Sequence, residues 1–226
     1  MDVQVKKAKY VPEIKGVLRS KFIELPQCIA NASGIKIFGR RIKSILFSTD
    51  VSIIKNTNAD AVIAVYPFTP QPVITQSIIL VSDVPVFCGV GGGLTMGDRV
   101  INIAIHAEHQ GAIGVVVNKP TPNETIQELK KNIDIPVVVT VVSENEDIEG
   151  RIRAGADILN VSGAGRTPEI VEKIRAISGT IPIIATGGNK EEAIIKTIEA
   201  GANAITYTPP NMGDIFSDIM KRYREL

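Results

Sequence analysis

Apolar residues in this chain gather into short, nearly continuous runs separated by stretches of helical spacing. Four runs open on Ala after Gly or Asn: Ala59-Asp60-Ala61-Val62-Ile63-Ala64-Val65, Ala112-Ile113-Gly114-Val115-Val116-Val117, Ala156-Asp157-Ile158-Leu159-Asn160-Val161 and Ala202-Asn203-Ala204-Ile205-Thr206-Tyr207. Their leading Ala residues stand 53, 44 and 46 positions apart, a spacing that marks an internal repeat. Three runs led by Pro85, Pro136 and Pro182 fall between them, and Ser44-Ile45-Leu46-Phe47-Ser48 opens the series. Proline at the first residue of a strand costs no ladder donor. Runs this apolar on both parities are strands buried on two faces.

Helix-start signals follow the runs. Thr121-Pro122-Asn123-Glu124 reads as cap, first-turn proline and capping-box Glu; Thr167-Pro168-Glu169 repeats the cap and proline; Asn189 precedes Glu191 and Glu192. Ile170, Ile174 and Ile177 supply one apolar stripe, and Val100, Ile103, Ala104 and Ala107 another. Eight strand–helix pairs over 44–226 predict a closed (β/α)8 barrel of class α/β. An open doubly wound sheet is the alternative, and it accounts less well for four near-equal double units.

Residues 1–43 stand outside that count as a basic N-terminal extension. They hold ten Lys or Arg against Asp2, Glu13 and Glu24, a charge of +7 that the rest of the chain offsets to +1 overall. A helix within 11–28 ended by Pro26 and a two-stranded turn over 34–41 are expected there, lying beneath the barrel. Attraction to the acidic remainder or to a neighbouring subunit explains the charge, so a homo-oligomer stays open. A nucleic-acid partner is disfavoured because interleaved aromatics are lacking.

The 226 residues are 44% hydrophobic and 4% aromatic, which excludes a disordered chain and calls for an aliphatic core. Cys28 and Cys88 form neither a disulfide framework nor a zinc-ligand pair. The polar start and the absence of a long apolar run predict a soluble, cytoplasmic protein with no membrane partner.

Strand alternation places one polar column at the C-terminal mouth. In the Ala-led strands it holds Asn118, Ser162 and Thr208, with Asn160 and Thr206 a layer below; elsewhere it holds Ser48, Gly89, Thr140 and Thr186, with Asp50 just beyond. Buried hydroxyls and amides need partners. Either they satisfy one another and water, or they bind a polar ligand. Three glycine-rich loops, Gly89 to Gly93, Gly163-Ala164-Gly165 and Gly187-Gly188, add backbone donors suited to an anion, although short strand-to-helix turns also use glycine.

Through Gly155-Ala156-Asp157-Ile158-Leu159-Asn160-Val161, Ile183-Ile184-Ala185-Thr186-Gly187-Gly188 and Ala200-Gly201-Ala202-Asn203-Ala204, the chain resembles the phosphate-binding superfamily of TIM barrels. That group includes ribulose-phosphate-binding, thiamin-phosphate synthase-like and inosine-monophosphate dehydrogenase-like barrels. The resemblance implies a ligand phosphate at Gly187 and Gly188. The eighth strand departs from the pattern, ending Thr208-Pro209-Pro210-Asn211, where Asn211 and the next helix start stand in for the missing donors. Over nearly the whole chain it is also similar to uncharacterised bacterial barrels sometimes labelled hydrolases, through Phe47-Ser48-Thr49-Asp50, Val65-Tyr66-Pro67-Phe68-Thr69-Pro70 and Val117-Asn118-Lys119-Pro120.

The candidate catalytic residues are Asp50, Lys119 and Glu144. Lys119 follows inward-facing Asn118 and suits charge complementarity with a substrate anion. Asp50 and Glu144 approach the axis from different strands and suit acid–base work, with helix capping or solvation as the plainer roles. The candidate anion-binding set is Ser48, Asn118, Thr140, Asn160, Ser162, Gly163, Thr186, Gly187, Gly188, Thr208 and Asn211. No cofactor is required, and no spacing demands a metal. The sequence therefore points to a metabolic enzyme of lyase or isomerase type acting on a small anionic, phosphorylated metabolite. A hydrolase, with a metal-assisted form through Asp50 and Glu144, and a non-catalytic phosphometabolite sensor are the alternatives.

Overall fold

The computed structural model describes residues 10–14, 16 and 23–225. Eight parallel strands form a closed barrel: β3 (Ser44–Phe47), β4 (Ala61–Ala64), β5 (Val86–Gly91), β6 (Gly114–Val117), β7 (Val137–Val141), β8 (Ile158–Val161), β9 (Ile183–Thr186) and β10 (Ala204–Tyr207), with β10 pairing back on β3. Eight helices alternate with them: α1 (Val51–Lys55), α2 (Pro72–Val81), α3 (Asp98–His109), α4 (Asn123–Asn132), α5 (Ile148–Arg153), α6 (Thr167–Ile177), α7 (Glu191–Glu199) and α8 (Met212–Arg224). The chain therefore has the (β/α)8 TIM-barrel fold. Among the described residues no helix is long and apolar enough to cross a membrane.

Alternation along each strand divides the core in two. Leu46, Val62, Cys88, Val115, Val139, Leu159, Ala185 and Ile205 pack against the helices, while Ile45, Ile63, Phe87, Val116, Val138, Ile158, Ile184 and Ala204 fill the barrel interior. A hairpin of β1 (Ile35–Ile37) and β2 (Arg40–Ile42) brings Ile35, Ile37 and Ile42 into that interior cluster. Upstream, residues 11–14 and 24–26 are not helical, and only a 3-10 turn, Gln27–Asn31, follows Pro26. The helix expected over 11–28 is thus not formed at those positions; its other residues, 15 and 17–22, lie outside the described residues.

The polar residue in three of the four repeat units has a structural use at the opposite end from the mouth. Asp60 Oδ2 accepts from the backbone N–H groups of Lys43 and Ser44, Asp157 Oδ2 from Val137 N–H at 2.8 Å, and Asn203 Oδ1 from Ile183 N–H at 2.9 Å. Each ties its own strand to the start of the neighbouring one. In the remaining unit the position is Ile113, buried in the interior cluster.

Helix starts differ from their sequence signals. Pro122 rather than Thr121 is the cap residue of α4, and Thr121 Oγ1 is buried with no hydrogen-bond partner among the described residues. Thr167 lies inside α6; its hydroxyl accepts from Gly163 N–H and donates to Ala164 O. Lys190, not Asn189, precedes α7.

Candidate functional site

At the C-terminal mouth the strands enclose an axial well of about 250 Å³. Its polar lining is Asn118, Thr140, Asn160, Ser162, Thr186, Thr206 and Thr208; Phe47, Ile63, Val65 and Val116 complete it. The column predicted from alternation lines the well at five strands, β6 to β10. On β3 the parity is reversed: Ile45 lies in the interior and Phe47 lines the well, so Ser48 does not. Strand β3 ends at Phe47, and the polar residue just past that end misled the pattern. Ser48 Oγ instead accepts from Asp50 N–H at 3.1 Å.

The seven polar side chains do not satisfy one another. Asn160 Nδ2 donates to Thr140 Oγ1 at 3.3 Å, and no other hydrogen bond joins members of the set. Asn160 Oδ1 and Thr206 Oγ1 are buried and unpartnered among the described residues. Thr206 is only 4% exposed. An unpaired hydroxyl in such a place costs about 1–3 kcal/mol, which a ligand supplying the missing partner would remove.

None of the well's lining residues is titratable. Asp50 is the N-cap of α1, its Oδ1 accepting from Ser52 and Ile53 N–H at 2.8 and 3.2 Å. This corrects its placement at the axis: the turn after β3 points the carboxylate back at its own helix. Glu144 pairs with Arg166 across the loops after β7 and β8, and its backbone carbonyl accepts from Lys173. Lys119 is exposed on the rim, with its backbone carbonyl held by Arg151 at 2.7 Å. Arg151 also donates to Thr121 O and to Asn123 Oδ1, so one guanidinium organises the whole loop beside Asn118.

The glycine loops have mixed roles. Gly163 N–H is committed to Thr167 Oγ1 at 3.1 Å, and a Cβ there would meet Ile170 Cδ1 at 2.3 Å, so close packing explains this residue and anion binding does not. Gly187 is likewise pressed between Ile194 and Ile205, with its N–H directed to Thr206 O at 3.4 Å. Gly188 takes φ +73°, a conformation that favours glycine. Gly187 and Gly188 do line a groove of about 400 Å³ that also contains Lys190 and Lys196 and shares Thr186 with the well. Asn211 lines neither cavity: it caps α8, Oδ1 accepting from Asp214 N–H at 2.9 Å.

Sequence reasoning missed a side chamber of about 80 Å³ between the loops after β4 and β5, which shares Val65 and Asn118 with the well. Tyr66 folds over it, its hydroxyl accepting from Gln71 N–H at 2.7 Å. The signal was available in the aromatic and proline residues of Tyr66-Pro67-Phe68. Cys88, on the helix side of β5, is buried, and burial pushes its thiol up to about 12.

No family model and no curated protein matches this chain. Solved structures do. Thiamine phosphate pyrophosphorylase from Pyrococcus furiosus matches with 18% identity over 73% of this chain and 84% of that one, at a TM-score of 0.56. Phosphonopyruvate hydrolase, in complex with oxalate and Mg²⁺, matches with 13% identity over 87% and 86% at 0.63. Mandelate oxidase matches with 16% identity over 78% and 68% at 0.62. At these identities the likeness establishes the shared barrel fold.

Proposed function

We propose that this barrel is a metabolic enzyme that binds a small anionic, phosphorylated metabolite at its mouth and stabilises negative charge developing on a carbonyl oxygen, the chemistry of lyases and isomerases. The observation carrying the proposal is the uncommitted polar ring: Asn118, Ser162, Thr186, Thr206 and Thr208 line one well, and their side chains make no hydrogen bonds to the described residues. Fixed donors around a confined oxygen stabilise an oxyanion without reorganising. The phosphate lies along the groove at Gly188 and Lys190, with Thr186 joining groove to well. Lys119, exposed beside Asn118, adds positive charge at the rim. The solved barrels similar in fold are enzymes by name, including a hydrolase and an oxidase, which agrees with an enzymatic role.

The absence of titratable side chains from the well's lining favours a second reading, in which the barrel binds the same metabolite without converting it. Metal-assisted hydrolysis through Asp50 and Glu144 has less support, because each carboxylate already has a structural partner and, among the described residues, no three His, Cys, Asp or Glu side chains gather.

Titration with glycerol 3-phosphate, dihydroxyacetone phosphate and phosphoglycolate, followed by NMR observation of each mixture, tests the proposal. Saturable binding, weakened at least tenfold in Thr186→Val, together with exchange or conversion of a substrate C–H supports the enzyme. Binding without any chemistry supports the sensor. No binding of any of the three overturns both.

A further inference from the structure

Helix α2 lacks the charged outer side of a barrel helix that faces water. Its ten residues include no charged side chain, and among the eight helices α1 to α8 of the described residues it alone has none. Helix α6 shows the ordinary division: Ile170, Val171 and Ile174 are buried, while Glu169, Glu172 and Lys173 are exposed. In α2 the inner side is buried in the same way, through Thr75 and Ile78. The outer side presents Val73 and Leu80, 64% and 76% exposed, with only Gln76 and Ser77 exposed between them. The Ser77 hydroxyl is turned to its own helix, donating to Val73 O at 2.7 Å. A helix that is apolar all round belongs inside a larger body.

The loops at the N-terminal end of α2 extend this surface. Phe68 precedes the helix, and Leu94 and Met96 follow β5, exposed by 72%, 92% and 41%. From Ala61 to Gly97 the sequence carries one charged residue, Asp83, and Lys55 neutralises it at 2.6 Å. Together Phe68, Val73, Leu80, Leu94 and Met96 expose on the order of 700 Å², more than the largest apolar patch of a typical monomer and close to the ~800 Å² that each partner buries in a standard interface.

We propose that α2 and these adjoining loops form an isologous interface with a second copy of this chain. The neutrality of the surface selects that occupant. A two-fold axis sets each patch against itself, and a patch of one charge would repel its own copy. A helix lying on a membrane carries Lys or Arg beside its apolar side, which α2 lacks. A highly charged partner would find nothing here to pair with. Phe68 and Leu94 also line the side chamber beside the well, so the neighbouring copy covers part of that chamber's opening. The inference is independent of which ligand the well takes.

Sedimentation velocity and light scattering on the full chain test the interface. The unmodified protein at about 100 μM is expected to run at twice its monomer mass of 24.3 kDa, with a dimer Kd of about 1 μM. Val73→Lys combined with Leu80→Lys keeps good helix formers at exposed positions and sets like charges across the axis. That pair should weaken dimerisation about a hundredfold or more, with far-UV circular dichroism unchanged. Phe216→Lys combined with Met220→Lys, at exposed apolar positions of α8, should leave the dimer intact. A monomer at about 100 μM overturns the proposal and leaves the face to residues 1–22 of the same chain or to a different protein. A dimer that survives the α2 substitutions overturns it equally.

Discussion

Asn160 and Thr140 sit opposite each other on β8 and β7, and Asn160 Nδ2 donates to Thr140 Oγ1 at 3.3 Å. This bond consumes one donor of a ring of seven polar side chains. Asn160 Oδ1, Thr206 Oγ1 and the hydroxyls of Ser162, Thr186 and Thr208 have no hydrogen-bond partner among the described residues.

Thr206 should show opposite effects on stability and binding. Its buried hydroxyl is unpartnered, so Thr206→Val removes a desolvated polar atom and should stabilise the ligand-free protein by about 1 kcal/mol. The same substitution should weaken binding of glycerol 3-phosphate at least tenfold. Urea denaturation and calorimetric titration check the two halves separately.

Asp50 should behave as a cap. Loss of its bonds to Ser52 and Ile53 N–H in Asp50→Ala should cost about 1 kcal/mol, whereas Asp50→Asn retains an acceptor and should cost a few tenths. Both variants should keep the affinity of the unmodified protein. A tenfold loss of affinity in Asp50→Asn, at unchanged stability, would return this carboxylate to the binding site.

At the other end of the barrel, Asn203 Oδ1 accepts from Ile183 N–H and from Arg175, while Asn203 Nδ2 donates to Ser33 Oγ at 2.9 Å. Asn203→Leu leaves the buried Ile183 N–H unpaired, while Arg175 keeps its bonds to the Gly201 and Ile181 carbonyls, and should destabilise by roughly 1–3 kcal/mol. Ligand affinity at the mouth should not change. Denaturation and titration of the one variant separate fold from function.

Cys88 supplies a pH-dependent effect. Burial raises its thiol from an ordinary value near 9 to about 12, so between these limits the unfolded chain ionises and the folded one does not. Stability should be unaffected by this group below pH 9 and should fall as pH rises toward 12. Cys88→Ala should flatten that part of the curve. At pH 8, a thiol reagent should modify Cys88 only as fast as the protein unfolds.

The barrel was legible because its strands announce themselves twice, by the Ala-led and Pro-led repeat and by apolar runs on both parities. The interior column was legible for the same reason wherever a strand and the residue after it agreed in polarity, as Asn160 on β8 and Ser162 just past it do. It failed at Ser48, because β3 ends on the apolar Phe47 and the serine just past that end, chosen for its polarity, has the opposite parity. Asp50, Asn211 and Gly163 were candidates because a polar or small residue after a strand suits a ligand and a helix cap equally. Only the direction of the side chain and the nearness of Ile170 to Gly163 separate the two. The roles of Asp60, Asp157 and Asn203 were hidden because their partners are backbone groups of neighbouring strands, far away in sequence.

Side-chain amide and methyl NMR spectra recorded while glycerol 3-phosphate is added offer the sharpest test of the polar well. Saturable shifts of the Asn118 and Asn160 amides and the Thr206 methyl, with the Asp50 backbone amide unmoved, are the predicted result. Shifts confined to residues of the β1–β2 face, or binding that leaves all three well residues unchanged, would contradict it.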